Sequence, residues 1–260
     1  MILASWNINS VRIRINNLEK WIKKRNPDVL FLQEIKCKNE DFPNDFFSNM
    51  GYQNFVYGQK GRNGVAVLLK KSLSDKNDKY STKVLNFNSQ SRFIDFYSKK
   101  LNINLCTIYA PNGNPVEEVS KFQYKIKWYD ELKKYIIPFI KAEKDLLVAG
   151  DFNVLENNND VKDFKNWENN ALGHILIRKK FRTILGYGMI NIVRMFFEPG
   201  KLYSFWDYQK NSWERNDGLL IDHFICSPML AERVKNFGID SFTRGWERPS
   251  DHCPIWMEFD

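Results

Sequence analysis

At 260 residues the chain is long enough to bury a large core and short enough for one domain, and nothing in it reads as a linker, a solenoid repeat or a membrane-spanning stretch. Its 39 Lys and Arg against 31 Asp and Glu give a net charge of +8, a balance that suits a polyanionic partner and is equally met by a lysine-rich soluble surface. Cys37, Cys106, Cys226 and Cys253 are scattered without a Cys-x-x-Cys pair or a zinc spacing, which points to buried thiols in a reducing interior. With no leader-like stretch ahead of the first strand, a cytoplasmic protein without membrane association is expected.

Taken in chain order, residues 2–7 are the first of six short runs that close on an acid, an amide or another polar group, and they read as a buried strand ending at Asn7. Leu18, Trp21 and Ile22 share one face of a helix over 16–24, stopped by Asn26-Pro27. A second strand runs from Val29 to Glu34, and the Gly-rich segment 58–64 turns the chain into a strand over 65–69. Residues 105–109 form another strand, closing on Tyr109. A long helix over 122–140 follows, with Phe122, Ile126, Tyr129, Leu132 and Ile136 as its core stripe. Leu146 to Asn153 is a strand carrying Gly-Asp-x-Asn at its end. The polar, Asn-rich stretch 156–170 is a loop, and a helix over 172–185 carries His174 as a surface or packed histidine. Residues 219–222 and 250–252 complete the runs, ending at Asp222 and His252.

Strand ends in α/β proteins are where rigid, convergent groups are presented, so Glu34, Asp151, Asp222 and Asp251, with Asn7 and Asn153, are expected to meet. Clustered carboxylates repel one another unless a divalent cation holds them, and hard oxygen ligands with few histidines favour Mg2+, with Mn2+ as a substitute. Metal-assisted phosphoester chemistry follows. Read singly, each piece has a plainer use: Asn7 as a turn residue, Ser250-Asp251 as a cap, and Gly-Asp-x-Asn as a turn. His223 directly follows Asp222, so strand alternation sends it to the opposite face and out of the site.

The segment Pro27-Asp28-Val29-Leu30-Phe31-Leu32-Gln33-Glu34-Ile35-Lys36 resembles the first signature of the exonuclease III type of AP endonuclease, a branch of the endonuclease/exonuclease/phosphatase superfamily that also contains DNase I. The resemblance continues, in order, through Asn7-Ile8-Asn9, Gly58-Gln59-Lys60-Gly61, Tyr109-Ala110-Pro111-Asn112-Gly113, Gly150-Asp151-Phe152-Asn153, Ser204-Phe205-Trp206-Asp207-Tyr208, Asn216-Asp217-Gly218-Leu219-Leu220-Ile221-Asp222 and Pro249-Ser250-Asp251-His252. It implies a single α/β domain over 1–260, a four-layer sandwich of two packed mixed β-sheets flanked by helices. It further implies a monomeric DNA-repair phosphodiesterase that cuts 5′ to abasic sites in double-stranded DNA and acts on blocked 3′ ends as exonuclease and phosphatase.

Carried onto this chain, the resemblance makes Glu34 the principal metal ligand, with Asn7 and Asp251 beside it directly or through water. Asp151 orients or deprotonates the attacking water, His252 on Asp222 sits against the scissile phosphate, and Asn153 and Tyr109 position its oxygens. Phe205, Trp206, Leu219 and Ile221 line a pocket for a deoxyribose lacking its base, and Lys60, Arg62 and Asn112 contact DNA. Two rivals are the same fold acting on a phosphoinositide or phospholipid head group, and a nucleic-acid-binding protein that has lost catalysis. The second requires Glu34, Asp151 or His252 to be replaced, and none is. Two positions depart from the family pattern: Asn191 stands for its acid and Leu220 for its arginine, and the joint loss predicts that the two are neighbours. The loops matching the family's DNA wedges carry Asn114-Pro115 and Gln209-Lys210.

Overall fold

Runs that are apolar at successive positions must be buried on both faces, and the computed structural model, which describes residues 1–82 and 90–260, places them at the centres of two sheets. The first half of the chain supplies β1 (Ile2–Asn7), β2 (Val29–Gln33), β3 (Tyr52–Tyr57), β4 (Val65–Lys70), β5 (Lys79–Ser81) and β6 (Phe93–Ser98). The second half supplies β7 (Ile103–Tyr109), β8 (Leu146–Asp151), β9 (Ile190–Asn191), β10 (Asp222–Cys226), β11 (Val234–Ile239) and β12 (Ile255–Phe259). One sheet has the order β11-β12-β1-β2-β4-β3, the other β5-β6-β7-β8-β10-β9. Each contains one parallel pair, β1 with β2 and β7 with β8, among antiparallel neighbours.

Alternation along these strands builds the layers. Leu3, Val29, Phe31, Val67, Leu105 and Ala149 face the opposite sheet, whereas Ala4, Trp6, Leu30 and Leu32 face outward onto α1 (Ile15–Arg25) and α2 (Asn44–Asn49). Helix α1 buries Leu18, Trp21 and Ile22 and stops at Asn26 in the left-handed region, with Lys23, Lys24 and Arg25 in its last turn beside the negative end of the dipole. On the other side, α3 (Val119–Lys141) and α4 (Ile175–Gly186) cover Cys106, Ile108, Val148 and Phe152. Helix, sheet, sheet and helix make the expected four-layer sandwich.

Four local readings change. The stretch 219–222 is not a strand ending at Asp222; β10 starts there and runs antiparallel to β8, because apolar periodicity carries no direction. Residues 250–252 are a loop ahead of β12, where His252 forms an isolated bridge with Phe205 and Ser250 Oγ donates to the Asn7 carbonyl of β1 at 2.7 Å. Helix α4 begins at Ile175, since the His174 ring accepts a hydrogen bond from the Leu176 N–H and caps it. The stripe of α3 is also shifted: Lys125 is buried, and Ile126 is only partly so.

Gly150, next to last in β8, has φ +145, and an added Cβ would lie 2.0 Å from the Ile108 carbonyl oxygen of β7. Gly150→Ala is therefore expected to lower stability by roughly 1–3 kcal/mol or more through overpacking at the strand junction. A denaturant midpoint equal to that of the unsubstituted protein would contradict this close approach.

Candidate active site

The two parallel pairs fix the site. β1, β2, β7 and β8 all end at one edge of the sandwich, with Asn7 opposite Gln33 and Tyr109 opposite Asp151 in register. β10 starts at the same edge with Asp222 opposite Asp151, and residues 250–252 arrive there just before β12. Alternation turns Asn7 and Asp151 toward the inter-sheet space, since Leu3 and Ala149 face that way. Beneath them, Gln33 donates to Ser5 Oγ at 3.0 Å and to Thr107 Oγ1 at 2.9 Å, a buried link between the sheets. Glu34 and Asn153, the residues just past the two key strands, both have φ 49; left-handed backbone at non-glycine positions is costly and concentrates at functional sites.

The carboxylates are held by donors. Asn7 Nδ2 bridges Glu34 Oε1 at 2.9 Å and Asp151 Oδ2 at 3.1 Å. Asp151 also accepts from the backbone N–H of Asn153 at 2.8 Å and its side-chain amide at 3.1 Å, while that amide donates to the Ala110 carbonyl at 2.9 Å. His252 Nδ1 lies 2.8 Å from Asp222 Oδ2, and its Nε2 lies 3.7 Å from Asp151 Oδ2. Ser204 Oγ donates to the same Asp222 oxygen at 2.6 Å, and the Trp6 indole N–H holds the His252 carbonyl at 3.0 Å. Tyr109 directs its hydroxyl to Glu34, and the Arg92 guanidinium lies 4.5 Å over its ring.

These contacts set the protonation states. Burial pushes the Asp151 carboxyl up to about 7, the charge of His252 opposes the rise, and Asp222 and Glu34 add to it. Burial alone would lower His252, but Asp222 and Asp151 outweigh it and raise the imidazole to about 10. At neutral pH His252 is thus an imidazolium donor facing a carboxyl poised to exchange a proton. Glu34 is partly buried, which pushes it up, yet the Lys36 ammonium at 2.9 Å and the Asn7 amide hold it below the ordinary carboxylate range.

The expected metal set was Glu34 with Asn7 and Asp251. Among the His, Cys, Asp and Glu side chains of the described residues, ligand atoms of Glu34, Asp151 and His252 all lie within 4.8 Å of one another. His252 Nδ1 is engaged by Asp222, and the carboxylate oxygens of Glu34 and Asp151 are hard donors that fit Mg2+ or Mn2+ better than zinc. Asn7 turns its amide hydrogens to both carboxylates and so separates them, with its oxygen on the Asn9 N–H at 3.2 Å. Asp251 accepts from Asn9 Nδ2 at 3.0 Å, and Asn9 in turn accepts from Lys36 at 2.6 Å.

Of the four expected pocket residues, three come together. Leu219 and Ile221 are buried with Leu155, Val161 and Leu172, and Phe205 packs on that group with its ring centroid 4.9 Å from His252. Trp206 turns away. It is buried edge-on to Trp213 and Tyr203, with its N–H on Asn216 Oδ1 at 3.1 Å, as strand alternation after Phe205 requires. Lys60 and Arg62 are exposed in the loop between β3 and β4, which leaves from the same edge because Gln33 and Tyr57 both pair with Val65. Asn112 is exposed beside Asn153, with its amide 3.4 Å from the Asn153 oxygen.

The predicted contact between Asn191 and Leu220 is not formed. Asn191 pairs with Ile225 on the helix-covered face, where its amide donates to Glu156 at 2.8 Å and lies 3.2 Å from His223 Nδ1, whereas Leu220 packs between the sheets. Arg194 is neutralised instead by Glu156 at 2.8 Å and by Asp160. Sequence reasoning assigned no role to Asn9, Lys36 or Ser204. All three lie inside motifs already picked out, but the contact of Ser204 with Asp222 depends on the bridge between Phe205 and Leu219.

The same arrangement occurs in proteins of known kind. Residues 4–252 match the model of the endonuclease/exonuclease/phosphatase family. An exodeoxyribonuclease III from Haemophilus influenzae is 34% identical over 269 residues and 100% of both chains. The solved structure of the 3′ phosphatase NExo from Neisseria, bound to a product DNA hairpin, superposes with a TM-score of 0.92 at 29% identity, covering 100% of this chain and 99% of that one. An AP endonuclease from Archaeoglobus fulgidus superposes with a TM-score of 0.91 at 30% identity over 100% and 99% of the two chains. The chain therefore belongs to the endonuclease/exonuclease/phosphatase family and is a nuclease of its exonuclease III type.

Proposed function

We propose that the protein is a Mg2+-dependent DNA-repair hydrolase that cuts the phosphodiester 5′ to an abasic site in duplex DNA and trims blocked 3′ ends, working as a monomer inside the cell. The observation that carries this reading is the juxtaposition of an apolar cluster with the acid–histidine pair: Leu219 and Ile221 lie immediately ahead of Asp222, and the partly buried Phe205 packs on His252. A sugar without a base fits an apolar recess, whereas an inositol or a polar head group would leave its hydroxyls unpaired there. The relatives support the substrate, and the four buried thiols suit a reducing compartment.

In-line hydrolysis needs an activated water, donors to the phosphate oxygens and compensation of developing charge. Asp151, raised toward neutrality, takes the proton from water, and Asn7 and Asn153 fix its oxygens. His252, oriented by Asp222 and Ser204, donates from Nε2 to a non-bridging oxygen. Tyr109 and Asn153 face the same volume and position the phosphate. A divalent cation held by Glu34 with Asp151, and by Asp251 through water, would supply Lewis-acid stabilisation of the phosphoryl charge.

The reading is tested by incision of a duplex with one abasic site, with an undamaged duplex and a soluble phosphoinositide as controls. Cleavage of the abasic duplex alone, silenced by chelator and restored by Mg2+ or Mn2+ but poorly by zinc, is expected. Preferred turnover of the phosphoinositide would reject the reading.

Asp151→Asn is expected to lower turnover by roughly 10²–10⁴-fold, the usual effect of losing a positioned base, with DNA affinity nearly unchanged. Single-turnover incision within tenfold of the unsubstituted enzyme would remove Asp151 from the mechanism.

Phe205 is only partly buried, so its loss should cost less than the roughly 3–5 kcal/mol of a core Phe→Ala change. Phe205→Ala is expected to weaken abasic incision more than 3′-phosphate removal and so to narrow the preference for abasic DNA. A uniform fall in all activities, together with a large drop in melting temperature, would assign Phe205 to the core instead.

A further inference from the structure

Helix α3 lays an apolar stripe on the second sheet, and one position of that stripe is a lysine. Lys125 is 0% exposed, between Phe122 and Trp128. Among the described residues no carboxylate lies within ion-pair distance of it. Its ammonium donates instead to three backbone carbonyls, those of Asn153 at 2.7 Å, Asn112 at 2.8 Å and Ala171 at 3.0 Å. Burial pushes its pKa down to about 7 and the charge of Asp151 pulls it back, but three acceptors need three donors, and only the protonated amine has them. A buried cation without a counter-ion is expensive, and a methionine would fill the same space without that cost. The cation must therefore do something its packing does not.

The three carbonyls belong to three separate segments. Asn112 lies on the segment after β7, which carries Tyr109; Asn153 lies after β8, beside Asp151; Ala171 lies on the segment leading to α4. Side-chain amides and backbone bonds also join these segments: Asn114 bonds Asn170 at 3.1 Å and the Ala171 N–H at 2.9 Å, and the Leu155 N–H donates to the Leu172 carbonyl at 2.9 Å. Gly113 makes room for the lysine, because a Cβ there would stand 2.6 Å from Lys125 Cδ. One turn further along α3, the Tyr129 hydroxyl holds the Phe152 carbonyl from the same side. Asn153, whose backbone is in the left-handed region, is thus fixed by its carbonyl to Lys125 while its side chain grips Asp151 and the Ala110 carbonyl.

We infer that Lys125 is a positioning residue of the active site, a buried ammonium that ties three loops to α3 and so holds the Asn153 side chain in register with Asp151. The inference rests on the roles given above to Asp151 and Asn153. It touches neither substrate nor reacting atoms, and its effect passes through the Asn153 backbone.

The test is a double-substitution cycle in the full chain on abasic duplex DNA, with Lys125→Met, Lys125→Arg, Asn153→Ala and the Met/Ala double variant. All are assayed well below the lowest melting temperature. Lys125→Met is expected to lower kcat by roughly 10- to 100-fold, the scale of a small misplacement of reacting groups, with KM changed less than about threefold. Lys125→Arg should recover most of the loss. In the Asn153→Ala background, Lys125→Met should cost less than about threefold more, since coupled residues are not additive. A folded Lys125→Met enzyme within twofold of normal kcat, or a full, independent loss in the Asn153→Ala background, would overturn the inference. If the methionine variant does not fold, Lys125→Gln keeps two donors without the charge; a partial kcat loss masked by Asn153→Ala supports the tie, and normal kcat overturns it. Normal turnover in Asn153→Ala alone would instead remove the site assignment itself, and the tie with it.

Discussion

Carboxylates that would repel one another are kept together at one edge of the sandwich because each has a donor of its own. Asn7 sits between Glu34 and Asp151, Lys36 neutralises Glu34, His252 lies between Asp222 and Asp151, Ser204 holds Asp222, and Asn9 holds Asp251. Asp151, Asp222 and His252 are buried, so these contacts carry nearly all the compensation. The oxygens of Glu34 and Asp151 converge closely enough for a hard cation to be held between them.

The strand pattern explains why these groups can be aligned so closely. Two parallel pairs end together and pack face to face, and β10 enters antiparallel with its first residue opposite the last residue of β8. One short segment therefore does two jobs: Leu219 and Ile221 belong to a buried apolar cluster on which Phe205 packs, and Asp222 orients the histidine beside Phe205.

Much of this was legible in the chain. Buried strands announce themselves by unbroken apolar runs, and Asn7, Glu34, Tyr109, Asp151 and Asn153 stand where those runs stop. Direction was not legible: the run 219–222 has the composition of a strand end, yet only its pairing with β8 shows that the strand begins at Asp222. Phe205 and Trp206 were grouped as aromatics, although adjacent residues in an extended segment point to opposite sides, and that rule separates them. Lys125 escaped notice because a lysine within a helix is ordinarily solvated; only three carbonyls from distant loops make its burial sensible. Asn191 and Leu220 looked like a compensated pair, whereas Asn191 lies on the helix-covered face with its amide on Glu156 and Leu220 packs between the sheets.

The central claim is that the converging carboxylates of Glu34 and Asp151 are a cation site built into the fold before DNA arrives. Its most direct test is the melting temperature as a function of Mg2+ at fixed ionic strength and without DNA, for the unsubstituted protein and for Glu34→Gln. A specific site stabilises the folded state by about 2.7 kcal/mol at a hundred times its dissociation constant. The account predicts a saturable rise in the unsubstituted protein and a flat response in Glu34→Gln; equal responses in the two, or none in either, would contradict it.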